Sequence, residues 1–280
     1  MIVKMSKQYE RELTDFIYKY NNLKEYFVAW VPENYSEISE YDKSDFLLCI
    51  EENKIVGFLG AHISEEQKIV RLLGPTIEET YFEKHADELF AILMDSLPKE
   101  MKELRIALFE ENSMCRKWCH RKGFELYNAE KGLIFNKEAF TEAAVPSCVE
   151  LLPFEDKYKE GLSLVHPNEV FFTLNELIGE INEQHHLLLS VVNGNVAGYI
   201  YYEISKDNKL GEIVLLHVKE DQRSKGYGSL LLNKAIRHMV DTEVESIETS
   251  VRVANVRAQQ LYVRVGFSDK ETVYAYKKSI

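Results

Sequence analysis

Residues 214–228, Val214-Leu-Leu-His-Val-Lys-Glu-Asp-Gln-Arg-Ser-Lys-Gly-Tyr-Gly228, decide the fold. The apolar run 214–218 predicts a strand, and residues 229–239 predict a helix because their apolar side chains recur on one helical face. A polar loop with two glycines separates them. The first backbone N–H groups of a helix lack partners within it, and the helix dipole adds positive potential there. This order of strand, glycine loop and helix therefore predicts a binding site for a diphosphate.

The glycine spacing separates the classes of phosphate-binding loop. The chain lacks the Walker pattern Gly-x-x-x-x-Gly-Lys-Ser/Thr, and it lacks the three glycines that a dinucleotide fingerprint needs directly after a strand. Instead, Arg223-Ser-Lys-Gly-Tyr-Gly228 resembles the Gln/Arg-x-x-Gly-x-Gly/Ala motif of the GNAT acyltransferase family. In that family the loop amides bind the pyrophosphate of acyl-coenzyme A (acyl-CoA). Taken alone, the motif is also compatible with a helix-entry turn that binds no ligand.

A second motif follows after about 30 residues. Residues 246–251 alternate as a strand does, and residues 255–267 predict a helix that ends at Gly266. Asn255-x-x-Ala-x-x-Leu-Tyr-x-x-x-Gly-Phe267 resembles the later GNAT motif. Two motifs in the expected order are much more specific than either one alone. By this resemblance, the second half of the chain is identified as a member of the GNAT family.

The first half of the sequence resembles a diverged copy of the second. Residues 47–58 match residues 187–199 as strand, turn and strand, and residues 112–124 match residues 255–267. Both pairs lie about 140 residues apart, which favours duplication of a whole domain. We therefore predict an α/β (mixed α+β) fold with two tandem GNAT-like domains, each a twisted mixed β-sheet flanked by helices. The predicted domains are residues 1–140 and 141–280, with a linker in residues 136–147.

The two copies differ where the chemistry is expected. In the first half, a predicted strand over residues 68–73 continues into residues 74–83, before a helix around residues 86–96. This stretch lacks Arg-x-x-Gly-x-Gly, and its three glutamates would repel a diphosphate. Cys119 stands where the second motif has Tyr262. We predict that the first domain is non-catalytic and supports the second, while binding of acyl-CoA in another geometry stays open.

Composition restricts the partners. The formal net charge of −12 disfavours binding to nucleic acid and favours cationic substrates, although acidity also serves solubility alone. No apolar run of 18 residues and no signal-peptide core occur, so we expect a cytoplasmic protein without a membrane partner. The four cysteines show no zinc spacing, and we expect no metal. Both a monomer and a homodimer stay open.

The resemblance implies direct transfer of an acetyl group from acetyl-CoA to a primary amine. This reaction needs a base for the amine proton, donors for the oxyanion and an acid for the departing thiolate. In the family, a tyrosine at the position of Tyr262 protonates the sulfur. A phenol with a pKa of about 10 suits that role, and a core aromatic is the alternative interpretation.

Glu212 is the predicted base. The sequence Glu212-Ile-Val, followed later by Gly-Tyr-Gly, resembles the histone-acetyltransferase branch, in which a glutamate here is the general base. Strand alternation places Glu212 on one face with Val214, Leu216 and Val218, and it places the rival base His217 on the other face. An exposed carboxylate at the start of a strand is the alternative interpretation of Glu212.

The resemblance also implies the cofactor contacts. Backbone groups near residue 217 would pair with the pantetheine arm, the glycine loop would bind the pyrophosphate, and Asn255 would contact pantetheine or orient the tyrosine. The predicted cofactor-binding residues are Leu216, His217, Val218, Arg223, Ser224, Lys225, Gly226, Tyr227, Gly228, Ser229, Asn255 and Tyr262.

The acceptor site is expected in two stretches, residues 1–46 and 165–182. Phe171 and Phe172 could line this site or belong to the core. The predicted acceptor is a small, cationic amine whose identity the sequence does not give, and an acyl group larger than acetyl stays open. A protein of another class, a non-catalytic acyl-CoA-binding or regulatory module, is the alternative function.

Overall fold

The computed structural model describes residues 1–29, 45–140, 148–167, 173–205, 207 and 209–280. The chain forms two compact units. Unit 1 comprises Met1–Glu130 with Glu271–Ile280, and unit 2 comprises Lys131–Lys270. The units are therefore not two contiguous halves. The predicted boundary between residues 140 and 141 divides the sequence into two contiguous domains, and it stays a prediction.

Unit 1 is built on a mixed sheet with the strand order β1-β2-β3-β4-β5-β12. Neighbouring strands are antiparallel except β4 and β5, which are parallel. The elements are β1 (Ile2–Lys4), α1 (Glu10–Tyr20), β2 (Asp45–Glu51), β3 (Lys54–Ser64), β4 (Ile69–Ile77), α2 (Glu79–Ser96), β5 (Glu103–Phe109), α3 (Ser113–Arg121), the start of β6 (Glu125–Phe135) and the end of β12 (Phe267–Ser279).

Unit 2 repeats this plan with the strand order β6-β11-β10-β9-β8-β7. Within it, β7 to β10 form an antiparallel series, and β10 pairs in parallel with β11. The further elements are β7 (Val149–Pro153), α4 (Lys159–Ser163), α5 (Leu174–Gly179), β8 (His185–Val192), β9 (Asn195–Ser205), β10 (Leu210–Val218), α6 (Tyr227–Asp241), β11 (Ser246–Arg252) and α7 (Val256–Val265).

The sheet of unit 2 buries both faces, because successive side chains of a strand point to opposite sides. One side of β9, with Ile200 and Tyr202, packs into the core formed with α6 and α7. The other side, with Tyr199 and Tyr201, packs against Leu162 of α4 and Leu177 of α5. We call these two sides the α6 face and the α4 face.

The predicted fold class is confirmed, since both units are mixed sheets flanked by helices. The strand at 214–218 and the helix at 229–239 lie within β10 and α6, and residues 246–251 lie within β11. Gly266 ends α7 with a φ of 116°, a left-handed value that glycine adopts without strain.

The interpretation of residues 74–83 as a connecting segment is wrong. β4 runs to Ile77, and α2 begins at Glu79, well before the predicted helix at residue 86. The helix extends to this point because Phe82, Ala86 and Leu89 share one face and are all buried.

Several predictions fall on residues that the structure does not describe. Residues 35–41, residues 141–147 of the predicted linker, and both Phe171 and Phe172 lie outside the described residues. Of the linker, the described part contains a short 3-10 turn over Lys137–Ala139.

Candidate active site

Two neighbouring strands of unit 2 separate toward the end of β10. β10 and β11 pair from Leu210 opposite Ser246 to Ile213 opposite Thr249. The Thr249 hydroxyl donates to the Ile213 carbonyl oxygen at 2.8 Å, which marks the end of the pairing. β10 continues to Val218, so along the described strands its last residues have no β11 partner at this edge. An extended ligand with amide groups can pair with such an edge.

A β-bulge reorients the second half of β10. The register with β9 shifts within residues 213–215, so that Glu212 lies opposite Glu203 while His217 lies opposite Tyr199. Tyr199 and Glu203 are four residues apart on β9 and share its α4 face. Glu212 and His217 therefore also share the α4 face, and the prediction that strand parity separates them is wrong. The extra residue of the bulge inverts the alternation.

The bulge also corrects the neighbours predicted for Glu212. Leu216 and Val218 pack with the core on the α6 face, opposite Glu212. Val214 packs with the α4-face core, so of the three residues predicted to share a face with Glu212 only this one does.

The loop between β10 and α6 exposes backbone donors. It comprises residues 219–226, and its end carries two left-handed residues, Ser224 with φ 65° and Gly226 with φ 88°. Gly226 is the N-cap of α6, and no side chain caps this helix. The N–H groups of the first helical turn consequently have no partner within the helix and are available to an anion. The Arg223 guanidinium closes the loop by donating from Nε to the Val218 carbonyl oxygen at 3.0 Å.

A cavity of about 600 Å³ lies at this loop, within unit 2. It is large enough for part of a cofactor-sized ligand. Its lining includes the arginines Arg223, Arg257 and Arg264 and, among the described residues, no carboxylate. The potential in the cavity is therefore positive, although the whole chain has a net charge of −12.

The structure brings most of the predicted cofactor residues together in this cavity. Lys225 does not line it, and its Nζ donates to Gln222 instead. Glu212 also does not line it. The predicted residues that do are Leu216, His217, Val218, Arg223, Ser224, Gly226, Tyr227, Gly228, Ser229, Asn255 and Tyr262. The lining residues that were not predicted are Gln222, Arg257, Ala258, Gln260, Leu261 and Arg264.

Arg257 is the most informative of the residues that sequence reasoning missed. Its guanidinium donates to the Ser224 hydroxyl at 3.0 Å and so joins the start of α7 to the glycine loop. It occupies a position of the second motif at which any residue is allowed, so the motif does not select it. The sequence nevertheless contains a signal, which is the charge of this residue. A cation in the first turn of a helix opposes the helix dipole, so a positive charge at this position indicates binding and not capping.

Asn255 has a structural role at the edge of the cavity. Its side-chain oxygen accepts from the Ala258 N–H at 3.2 Å and caps α7. The cap fixes the start of the helix that carries Tyr262. Asn255 thus orients the tyrosine through the helix, and a contact with pantetheine stays a prediction.

Tyr262 lies where the cavity meets the core. Its side chain is 6% exposed, and its ring contacts Phe267 edge to face with centroids 5.3 Å apart. Burial raises the pKa of the phenol, and a hydrogen bond with the Thr249 side chain opposes part of this rise. The phenol therefore stays protonated at neutral pH and retains a proton to donate.

Glu212 lies at the far end of β10 from the glycine loop. Partial desolvation raises its pKa, and the negative charges of Glu203 and Glu248 raise it further. These two glutamates lie directly opposite Glu212 on β9 and β11. The role of Glu212 as base stays a prediction.

Two general features of the chain bear on ligands. Among the described residues, no helix is long and apolar enough to cross a bilayer. In the same part of the chain, no group of three or more His, Cys, Asp or Glu side chains is placed to hold a metal ion. Cys49, Cys115 and Cys119 are buried free thiols, and Cys148 is an exposed one.

Solved structures share this architecture. A tandem GNAT protein from the clavulanic acid biosynthesis pathway superimposes with a TM-score of 0.68 at 14% identity, over 100% of this chain and 98% of that chain. At this identity the likeness shows the fold alone.

Curated relatives match a little under a third of the chain. The mycothiol acetyltransferase of Propionibacterium freudenreichii subsp. shermanii is 34% identical over 85 residues, 30% of this chain and 27% of that protein. An uncharacterized N-acetyltransferase of Methanocaldococcus jannaschii is 33% identical over 86 residues, 30% of this chain and 54% of that protein. The matched segment thus spans about a quarter to a half of these relatives.

The acetyltransferase (GNAT) family model matches residues 150–267, which lie within unit 2 and contain the cavity, both motifs and the separated strands. This segment of the chain is a GNAT acetyltransferase domain.

Proposed function

We propose that unit 2 transfers an acyl group, acetyl in the simplest case, from acyl-CoA to a primary amine. The observation that carries this proposal is the cavity, which combines uncapped helix N–H groups, three arginines and a strand edge without a β11 partner. A diphosphate needs the first two features, and a chain of amides needs the third. Acyl-CoA contains both groups.

The residues around the cavity have different proposed roles, according to where they lie. The loop over residues 223–229 would hold the pyrophosphate mainly through its N–H groups, with Arg257 adding charge. Backbone groups of residues 216–218 would hold pantetheine. Tyr262 lines the same cavity and keeps its proton, so it is suited to protonate the departing thiolate. Acyl-CoA supplies the activated carbonyl group.

A row of carboxylates supports a cationic acceptor. Glu203, Glu212 and Glu248 lie opposite one another on three adjacent strands. Lys270 forms an ion pair with Glu248 at 2.5 Å, and His185 approaches Glu203 at 3.4 Å. The row attracts positive charge toward the start of β10. We therefore propose a small amine that carries more than one positive charge.

Calorimetry and an amine panel test the proposal. We expect CoA and acetyl-CoA to bind the full chain with one site per chain. Thiol release from acetyl-CoA should then identify an acceptor among spermidine, lysine, aminoglycosides and short peptides. Binding without transfer to any amine would favour the CoA-binding module instead. Absence of binding heat from folded protein would contradict the whole proposal.

A further inference from the structure

A half-buried imidazole lies beside the open edge of β10, between the two strand residues that pack on the α6 face. His217 lines the cavity and projects on the α4 face, opposite Tyr199 of β9. We propose that His217, and not Glu212, accepts the proton that the attacking amine loses. This inference rests on the proposed function and assigns the base of that same site.

Position separates the two candidates. His217 lines the cavity together with Tyr262, whereas Glu212 does not. Their partners on β9, Tyr199 and Glu203, are four residues apart. At about 3.3 Å per residue, this places the two side chains about 13 Å apart along the strand. A base must lie within hydrogen-bond reach of the proton it takes, directly or through one water. One bound amine can therefore be within direct reach of only one of the two side chains, and His217 is the one that lines the cavity with Tyr262.

The surroundings of His217 hold its ring in place. Its ring lies over the Tyr199 ring, with centroids 6.3 Å apart and planes 29° apart. Tyr199 is fully buried, and its hydroxyl is hydrogen-bonded to His166 Nδ1 at 2.8 Å. His166 follows α4, so β9, β10 and the α4 segment together fix the orientation of the imidazole.

The charges around His217 favour its neutral form. The groups that face it are Tyr199 from β9, His166 from the α4 segment and Arg223 from the glycine loop. Burial lowers the pKa of His217, and the charges of Arg223 and His166 lower it further. Burial raises the pKa of Tyr199, which stays neutral. At neutral pH the imidazole thus has a free nitrogen lone pair that can accept a proton.

The transfer step balances with these two residues. The amine nitrogen forms a bond to the thioester carbon, and an N–H proton moves to a ring nitrogen of His217. The C–S bond breaks, and the Tyr262 hydroxyl gives its proton to the sulfur. The products are an amide and the CoA thiol. One proton then passes through solvent from the His217 imidazolium to the Tyr262 phenolate. An acceptor that enters as an ammonium ion releases one further proton to solvent.

The test is the pH profile of kcat/KM for the full chain with acetyl-CoA and the best amine of the panel. For the wild-type protein, we expect a fall on the acid side as His217 becomes protonated. His217→Gln should lower kcat/KM at pH 7.5 by about 100-fold or more, and its residual activity should lack that acid limb. Its CoA affinity should stay within about twofold of wild type, because the backbone contacts remain.

Two further variants test whether the acid limb depends on His217 and not on another titratable residue. His186→Asn is the matched control, because His186 is also half-buried with a lowered pKa but packs on Tyr202 and His238, away from the cavity. We expect its profile to keep the acid limb. Glu212→Gln should also keep the acid limb. Loss of the limb in Glu212→Gln together with its retention in His217→Gln would overturn the proposal.

The failure of this inference differs from failure of the proposed function. If the wild-type protein binds no acetyl-CoA or acetylates no amine, the proposed function fails and this inference fails with it. If the wild-type protein is active and His217→Gln retains both its rate and its acid limb, only the assignment of the base is wrong.

Discussion

Units 1 and 2 share a strand plan but treat the opening between their parallel strands in opposite ways. In unit 1 the β4–β5 register ends at Arg71 opposite Arg105, as the β10–β11 register ends early in unit 2. There, however, the segment at residues 27–29 fills the opening: Val28 forms a bridge with Leu108, and the Ala29 N–H donates to the Ala107 carbonyl oxygen at 2.9 Å. Since β12 pairs with the other edge of β5, this segment takes the edge that β4 leaves.

The two units also differ in the connection between the first of these parallel strands and the following helix. One residue, Glu78, separates β4 from α2 in unit 1, whereas residues 219–226 separate β10 from α6. The Glu78 carboxylate accepts from the Tyr20 hydroxyl at 2.7 Å, and Glu79 accepts from the Tyr26 hydroxyl at 3.2 Å. In unit 1, these carboxylates are thus paired with tyrosine hydroxyls of the same unit, and the non-catalytic role of the first domain stays a prediction. A fold can keep its sheet while it loses its site.

The largest expected effect comes from the glycine loop of unit 2. Gly226→Val places a β-branched residue at φ 88° and displaces the helix N–H groups. Loss of two charge-assisted hydrogen bonds, about 1.5 kcal/mol each, weakens CoA binding by about 100-fold. Calorimetry with CoA measures this loss. Gly194→Val is the matched control, since Gly194 has φ 77° in equally open space outside the cavity. An equal loss of affinity in both variants would refute the assignment.

The next comparison pairs Tyr262 with its counterpart Cys119, a buried thiol of unit 1. Tyr262→Phe removes the proton donor for the thiolate and should lower kcat by about 100-fold, with CoA affinity nearly unchanged. Cys119→Ala should leave kcat unchanged. Steady-state rates and calorimetry measure the two quantities. If Tyr262→Phe keeps the wild-type kcat, the tyrosine is a core aromatic only.

Asn112 and Asn255 should differ in stability. Asn112 is 1% exposed; it donates to the Phe27 carbonyl oxygen at 2.9 Å and caps α3 by accepting from the Cys115 N–H at 3.0 Å. Asn112→Ala should cost about 2–3 kcal/mol, because both buried groups lose their partner. Asn255 is exposed and makes only the cap to Ala258, so Asn255→Ala should cost about 1 kcal/mol. Urea unfolding measures both costs, and equal values would contradict the filling of unit 1 by its own chain.

The smallest expected effect is a difference in pH dependence between two glutamates. Hydrogen bonds from Lys84 and His85 lower the pKa of Glu51 in unit 1 to about 2, whereas the pKa of Glu212 is raised. Glu51 therefore stabilises the folded state above about pH 4.5, and this contribution is lost as the pH falls toward 2. Ionised Glu212 disfavours the folded state at neutral pH; this cost falls as the pH drops through its raised folded-state pKa and is absent below the ordinary pKa of about 4.5.

Melting curves from pH 3 to 7 test this pair. Glu51→Gln should be less stable than wild type at pH 7 and approach it at low pH. Glu212→Gln should be slightly more stable at pH 7 and equal to wild type at low pH. Changes of the same sign at pH 7 would show that the environments of the two carboxylates do not differ as described.

Local sequence patterns predicted the strands and helices around the site. They did not predict which residues far apart in the sequence pair with one another. The glycine loop, β10, β11 and both helices follow from apolar spacing and glycine positions in one stretch of sequence. The bulge near Val214 does not follow from the sequence pattern. Residues 213–216 are all apolar, so the pattern is compatible with any strand register there. The filled opening of unit 1 depends on Val28 meeting Leu108, far away in the sequence, and no periodicity reports such a contact.

Unit 1 completes its sheet with Val273–Ser279, which pair with β5 and bury Ala275 and Tyr276. The ribosome makes these residues about 170 residues after β5. One edge of the unit 1 sheet therefore stays unpaired until translation reaches them. A fragment that stops at residue 140 would keep that edge bare permanently. Separate expression of the two sequence halves should therefore yield aggregation-prone pieces, and only the continuous chain supplies each sheet with its last strand.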